Sequence, residues 1–328
     1  MVSFNTSKNF APSATFLSDS ARSDSILQQR VDSNDVLFFE RELNYVDPKE
    51  FQVIKNDLSW LKIFSVRSID AGLEAYTYNM YDSYGNSKFT ANKATDIPNV
   101  AVTGKQFTSP IANVDCSLEF SAQDLLASAV AQKDIVNRMR TQAIRSNCEL
   151  MNKTCFEGYE PLGIPGLLTN PHIKNEKAVA TVRTNKKAWA DKTPEETLSD
   201  LMEGFNSVDE KTGGNIVPTD LLMSSTPYDH IATKVFNTFN GNTILQQLIN
   251  MTGVKVHKVR ELNKKFDGNT DGFVFFKNIP DFIEQIVPIM FNMSVPQLSG
   301  WNYTVFCRSR YGGLIIRQPN MFAIRYGI

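Results

Sequence analysis

Several stretches carry residue types that could do chemistry. Asp267-Gly-Asn269-Thr-Asp271-Gly272 sets oxygen-bearing side chains at alternate positions, as the opening of an EF-hand calcium loop does. The twelfth position of such a loop requires a bidentate Glu; here it is Asn278, and no helical pattern flanks the stretch, so a turn between strands is expected. His172, His230 and His257 lie far apart, and none has a partner at H-x-x-x-H or H-E-x-x-H spacing. Cys116, Cys148, Cys155 and Cys307 are too widely spread for a C-x-x-C metal knuckle or a dense disulfide framework. Cys148 and Cys155, seven apart on an apolar helical row, read as small buried hydrophobes. No G-x-S-x-G elbow, phosphate-binding P-loop or G-x-G-x-x-G fingerprint occurs. The sequence therefore nominates no catalytic residue, no cofactor-binding residue and no metal ligand. An enzyme with dispersed catalytic groups stays open as a reading of a different class.

The elements that would position any site start with a long helical pattern from Ser121 to Pro171. Ser121 and Asp124 form a capping pair, and no proline or glycine follows until Gly158. Leu125, Ala129, Val136, Met139, Ala143 and Leu150 recur at helical spacing. Leu126, Val130, Ile144, Cys148, Met151 and Cys155 fill a neighbouring row, while Arg138, Arg145, Glu149 and Lys153 sit opposite. The pattern predicts one uninterrupted rod of about 55 Å, at 1.5 Å per residue, with a dry side along its whole length. Such a rod reads as a spine on which sheets lie. The loop GIPGLLTNP closes it.

Around that spine, residues 1–34 are polar and too poor in large apolar groups to fold alone. They form an arm that either crosses a neighbouring subunit or has no fixed structure. Residues 35–66 should dock on the core. The alternation in EAYTYNMYD (74–82) and the extended run within 100–120 predict two long strands forming a ribbon, with a loose tip around 84–99. An isolated two-stranded ribbon is marginal in water, so another copy of the chain covers it, or else it folds back on its own core. The basic stretch 174–192, with Lys186 and Lys187 adjacent, reads as a solvated linker, with a local phosphate contact as the sharper alternative. Thr193-Pro194-Glu195-Glu196 opens a capped helix, and Thr226-Pro227 a second. Strands at 221–224, 254–259 and 273–276 alternate with helices, making a small α/β domain. From Gly300 the pattern returns to β, in 303–308, 314–317 and 321–326 around a turn at 310–313, and is expected to close the sheet on the spine.

The totals exclude some classes. The chain has 328 residues, 42% of them hydrophobic, enough for two cores. Thirty-four basic against thirty-five acidic residues give a net charge of −1, which leaves no global footprint for nucleic acid or an anionic membrane. The N-terminus has no apolar core of signal-peptide length, and no later run reaches membrane-spanning length, so a cytosolic protein without membrane contact is expected.

FFERELNYVDPK (38–49), YDSYGNSKF (81–89), DIP (96–98) with the following VTGKQF, SAQD and GIPGLLTNP resemble the major capsid proteins of tailed bacteriophages. The resemblance runs in order through residues 35–328. It implies an α+β fold of the Hong Kong 97 capsid type and no enzymatic activity. In those terms, 1–48 would be the N-terminal arm, and 49–115 the start of the peripheral domain with the extended β-ribbon loop. Residues 116–192 would be the peripheral domain with its spine helix, 193–291 an axial α/β domain, and 292–328 the return to the peripheral sheet. The resemblance implies homo-oligomers, pentamers and hexamers, self-assembling in the bacterial cytoplasm into an icosahedral virion capsid around double-stranded DNA, which they would touch non-specifically. Separate scaffolding, portal and decoration proteins would be partners, because 34 loose residues are too few for a folded scaffolding extension. Covalent cross-linking, as between Lys88 or Lys93 and Asn302 or Asn320, has no residue-specific match in the sequence. An encapsulin nanocompartment shares the fold and is the nearest alternative.

Overall fold

The computed structural model describes residues 57–89, 99–177, 188–237, 241–266 and 269–328. The expected N-terminal arm, most of the ribbon tip and the Lys186-Lys187 pair lie outside them. Among the described residues the chain opens with a short helix, α1 (Trp60–Ile63), and strand β1 (Val66–Arg67). The ribbon follows as β2 (Ala75–Tyr84) and β3 (Ala101–Pro110), and then β4 (Ala112–Ser121). Two helices succeed it, α2 (Ala122–Ala131) and α3 (Ile135–Glu157), and then β5 (Asn175–Lys177). The next segment is α4 (Pro194–Lys211), β6 (Asp220–Met223), α5 (Ser225–Thr233), β7 (Val235–Asn237), β8 (Asn242–Thr243), α6 (Ile244–Thr252) and β9 (Lys255–Lys258). The chain ends in β10 (Gly272–Phe276), β11 (Ile283–Ile286), β12 (Ile289–Met293), β13 (Gln297–Ser299), β14 (Asn302–Tyr311), β15 (Leu314–Ile316) and β16 (Ala323–Tyr326).

The central sheet runs β5-β16-β10-β6-β9 and is covered on both faces. The run Phe273-Val274-Phe275-Phe276 explains why: alternate side chains enter opposite cores. Phe273 and Phe275 join Leu221, Met223, Leu201 and Leu248 under α4, α5 and α6. Val274 and Phe276 face Met151, Cys155, Phe156, Leu167 and Phe322 on the other side. Phe276 stacks on Phe322 at 5.6 Å. Each fully buried Phe contributes about 1.5–3 kcal/mol. Gly204 of α4 lies so close to the sheet that a Cβ there would meet the Phe273 ring at 2.8 Å, and the missing side chain lets the helix approach.

The capping expectation holds at α4, where Thr193 Oγ1 accepts from the Glu196 N–H and Glu196 accepts from the Thr193 N–H at 2.9 Å. The second expected cap does not hold. Helix α5 starts at Ser225, before Thr226-Pro227, and the Ser225 N–H donates to Asn263 Oδ1 at 2.7 Å. Pro227 sits in the first turn, where no intrahelical N–H is required.

The spine is two helices. Gln132 takes the left-handed conformation (φ 54°, ψ 35°), with the Gln132 N–H on Ala129 O and the Lys133 N–H on Ser128 O. That is a Schellman stop built without glycine. Asp134 then caps α3 by accepting from the Asn137 N–H at 2.9 Å. The dry side is also shorter than its spacing suggests. Ala143, Cys148, Met151, Cys155 and Phe156 are buried, whereas α2 buries nothing and Leu126, Val130 and Leu150 are exposed. Beyond Gly158 the glycine-proline loop folds back onto the helix end, so Leu167 N–H reaches Cys155 O at 2.9 Å and Leu168 N–H reaches Phe156 O at 3.0 Å. Gly166 is required there, because a Cβ would sit 2.2 Å from the Gly158 nitrogen.

Strand β14 pairs with β4 over ten residues, with β12 and β13 on its other side. One face of this sheet packs Leu118, Val305 and Cys307 against Ala143 and Met139 of α3. Buried Asn147 of α3 pins it by donating to Val114 O (3.2 Å) and Ser309 Oγ (2.9 Å). The returning segment divides: β14 runs to Tyr311 and lies on the spine, β15 pairs with β11, and β16 pairs with β10 in the central sheet. The returning strands thus meet the spine in two sheets, β14 beside Ala143 and Met139, and β16 in the sheet whose core holds Met151 and Cys155.

Candidate assembly interface

The ribbon is ten antiparallel pairs, from Ala75↔Pro110 to Tyr84↔Ala101, about 33 Å long at roughly 3.3 Å per residue. Its base is held by a polar cluster. Glu284, a lone acid in the apolar run FIEQIV, is 5% exposed and accepts from Arg67 at 3.2 Å and from Arg317. Arg317 also donates to Tyr76 Oη at 2.9 Å and lies 5.9 Å from the Tyr78 ring centre. Burial works against the Arg317 charge, but Glu284 and Tyr76 more than offset it and raise its pKa. Burial pushes the Tyr78 phenol up, and Arg317 opposes that only in part. Tyr78 stacks on Phe107 across the ribbon (5.3 Å), and Ser109 Oγ donates to Gly312 O at 3.0 Å.

Past Met80 the ribbon leaves the body. Tyr81 is 72% and Tyr84 61% exposed, and Val102 and Phe89 are exposed as well. A second exposed apolar group joins α2 to the β13–β14 hairpin. Leu126 and Val130 project from α2, and Trp301, 83% exposed, sits on a turn whose carbonyl accepts from the Ala122 N–H at 2.9 Å. Val295 and Leu298 are exposed nearby in sequence. Surfaces of this apolar character mark association sites.

Of the described residues singled out for chemistry, only Cys116 and Cys307 are brought together, opposed across β4 and β14, while the three histidines lie apart. His172 packs edge-on to Phe107 (6.0 Å) at the ribbon base. His230 lies beside Trp189, its pKa lowered by burial and by Lys234. His257 hydrogen-bonds Asp220 at 2.9 Å. Burial pushes the Asp220 carboxyl up, but hydrogen bonds from His257 and Thr219 outweigh it and hold the group below its usual range. In the calcium-like stretch, Asp267 and Gly268 lie outside the described residues, Asn269 is left-handed, and Asp271 Oδ1 accepts from the Lys264 N–H at 2.9 Å. Among the described residues no group of three His, Cys, Asp or Glu could hold a metal ion. Nor is any helix there long and apolar enough to cross a membrane. Cys148 and Cys155 are buried in the main core. Sequence reasoning missed the Glu284 cluster; an acid inside an apolar strand was the signal that a cation must meet it.

The sequence profile of the major capsid protein family matches residues 85–328. No curated protein matches the chain in sequence. Among solved structures, the capsid of Myoviridae phage XM1 superposes with a TM-score of 0.77 at 14% identity, covering 90% of this chain and all of that one. A Mycobacterium phage Adephagia structure gives 0.60 at 12% identity, covering 89% of this chain and 97% of its own. A virus-like particle from Pyrococcus furiosus gives 0.53 at 18% identity, covering 81% of this chain and 91% of its own. At these identities the likeness establishes the shared fold.

Proposed function

The chain belongs to the major capsid protein family, and from that premise we propose that it builds the icosahedral head of a tailed double-stranded DNA bacteriophage. It is a structural protein of the virion capsid, not an enzyme, with the α+β Hong Kong 97-type fold. Copies associate through pentamers and hexamers, with the outer half of the ribbon lying on a neighbour. The observation that carries this reading is a ribbon fixed by an ion cluster at its base whose apolar outer half is exposed among the described residues. Each contact contributes only a few kcal/mol, but closure makes every contact intramolecular with respect to the others, so the shell outlasts any single interface. In the division that best fits this role, residues 116–192 and 292–328 serve as the peripheral domain and 193–291 as the axial domain around the symmetry axes. Scaffolding and portal proteins are separate chains, assembly takes place in the host cytoplasm, and packaged DNA is contacted without base readout. Particle mass tests this. Purified protein should form closed particles of uniform size, and a strict monomer or dimer under all assembly conditions would overturn the reading. Nucleic acid inside those particles separates a genome-bearing head from a nanocompartment, which would enclose protein cargo.

A further inference from the structure

Two of the four cysteines face each other directly. Cys116 of β4 and Cys307 of β14 are opposed in an antiparallel ladder whose register is unbroken over ten pairs. Counting from the Ala122 N–H bond to Trp301 O, alternate opposed pairs exchange backbone hydrogen bonds, Cys116 with Cys307 among them. Such a pair has Cα atoms about 5.5 Å apart, inside the 4.4–6.8 Å window of disulfides. Opposed residues share one face of a sheet, so both side chains point toward α3, where Cys116 Sγ lies 4.0 Å from Ala143 O. The two thiols are near enough to influence one another electrostatically. All four cysteines are free.

We propose that Cys116 and Cys307 form a two-thiol redox site that a small peroxide converts to an intrasubunit disulfide. Their surroundings divide the roles. Cys116 is half-buried on β4, which among the described residues pairs with β14 alone and so is an edge strand able to close the remaining gap between Cβ atoms. Cys307 is fully buried. Burial raises both thiols, and Cys116, the less buried of the two, is the one that solvent and a peroxide reach first. The Cys116 thiolate attacks one peroxide oxygen: an S–O bond forms, the O–O bond breaks, and the departing hydroxide takes up a proton to become water. The Cys307 thiolate then displaces hydroxide from the sulfenic sulfur, forming the S–S bond and, with a second proton, a second water. Two electrons pass from the two thiols to the peroxide. The bridge covalently ties the strand that enters the spine to the returning strand on which it lies. Because both sulfurs belong to one subunit, the proposal stands apart from the shell reading.

The full-length protein is treated with hydrogen peroxide at mildly alkaline pH, quenched by alkylation and peptide-mapped without reduction. The expected product joins the Cys116 and Cys307 peptides with loss of two hydrogens, while Cys148 and Cys155 become alkylated once the protein is unfolded. The denaturant midpoint should rise on oxidation and return on adding a dithiol reductant. Cys307→Ala should stop oxidation of Cys116 at acids of sulfur, with no bridge. In the wild type, a bridge between subunits, oxidation of Cys116 with Cys307 left as a thiol, or no change at either cysteine would each overturn the proposal.

Discussion

The inner and outer halves of the ribbon share one ladder of strand pairs and differ in everything around it. Inside, Tyr76, Tyr78, Phe107 and Ser109 are bound to Arg317, to each other and to Gly312. Outside, Tyr81, Tyr84 and Val102 carry comparable apolar surface into solvent. The spine repeats the contrast, since the last turns of α3 are buried and α2 buries nothing. In both elements the sequence pattern is continuous and the cover is not. Apolar side chains that the described residues leave uncovered are what a chain that completes itself with copies would carry.

Substitutions should separate the two kinds of surface. Met151→Asp places a carboxylate in the fully buried part of α3, where a charge without a partner costs several kcal/mol. Loss of the cooperative unfolding transition is expected. Leu126→Asp on α2 should instead leave stability within about 0.5 kcal/mol while reducing particle formation, read by calorimetry and sedimentation on the same sample.

Next in size, Glu284→Gln leaves Arg317 without its carboxylate. A loss of about 2–4 kcal/mol is expected, toward the low side for a buried pair because Arg67 is half-exposed. Hydrogen exchange should quicken at the ribbon base. Asp220→Asn is the control away from the ribbon. The Asp220 carboxyl is held below its ordinary value, so its stabilisation is present above about pH 4 and fades as the pH falls through the lower folded value. The variant should be less stable than the wild type near neutrality, by about 1–2 kcal/mol, and converge with it in acid, with ribbon exchange unchanged. Smallest for the subunit is Tyr81→Ser, whose unfolding midpoint should not move. A loss of about 1 kcal/mol per contact would raise the concentration needed for assembly about fivefold.

What could be read from the sequence follows from how local each cause is. The first ribbon strand, the Ser121–Asp124 and Thr193–Glu196 caps and the all-apolar run 273–276 depend on neighbours a few residues away and appear where their patterns place them. The extended run within 100–120 instead divides at Ile111 into the ribbon's second strand and β4, which pairs with β14. The break at Gln132 gave no signal, because a glutamine occupies a left-handed position usually given to glycine or asparagine. Spacing marks which side of a helix is apolar, not which length of it the subunit covers, so the dry rows were legible and the exposure of α2 was not. The pairing of β16 with β10 and the meeting of Glu284 with Arg67 and Arg317 depend on contacts distant along the chain. The partner of an isolated acid cannot be chosen from its own neighbourhood in the sequence.

The central claim, that the outer ribbon is interface and the inner ribbon is core, is tested most directly by hydrogen exchange across β2 and β3 in free subunits and in assembled particles. Amides near Tyr76, Tyr78 and Phe107 should be protected in both states, while those of residues 81–84 and 101–104 should exchange quickly in the subunit and slowly in the particle. Protection of the outer half in the free subunit, or fast exchange there in the closed particle, would contradict the account.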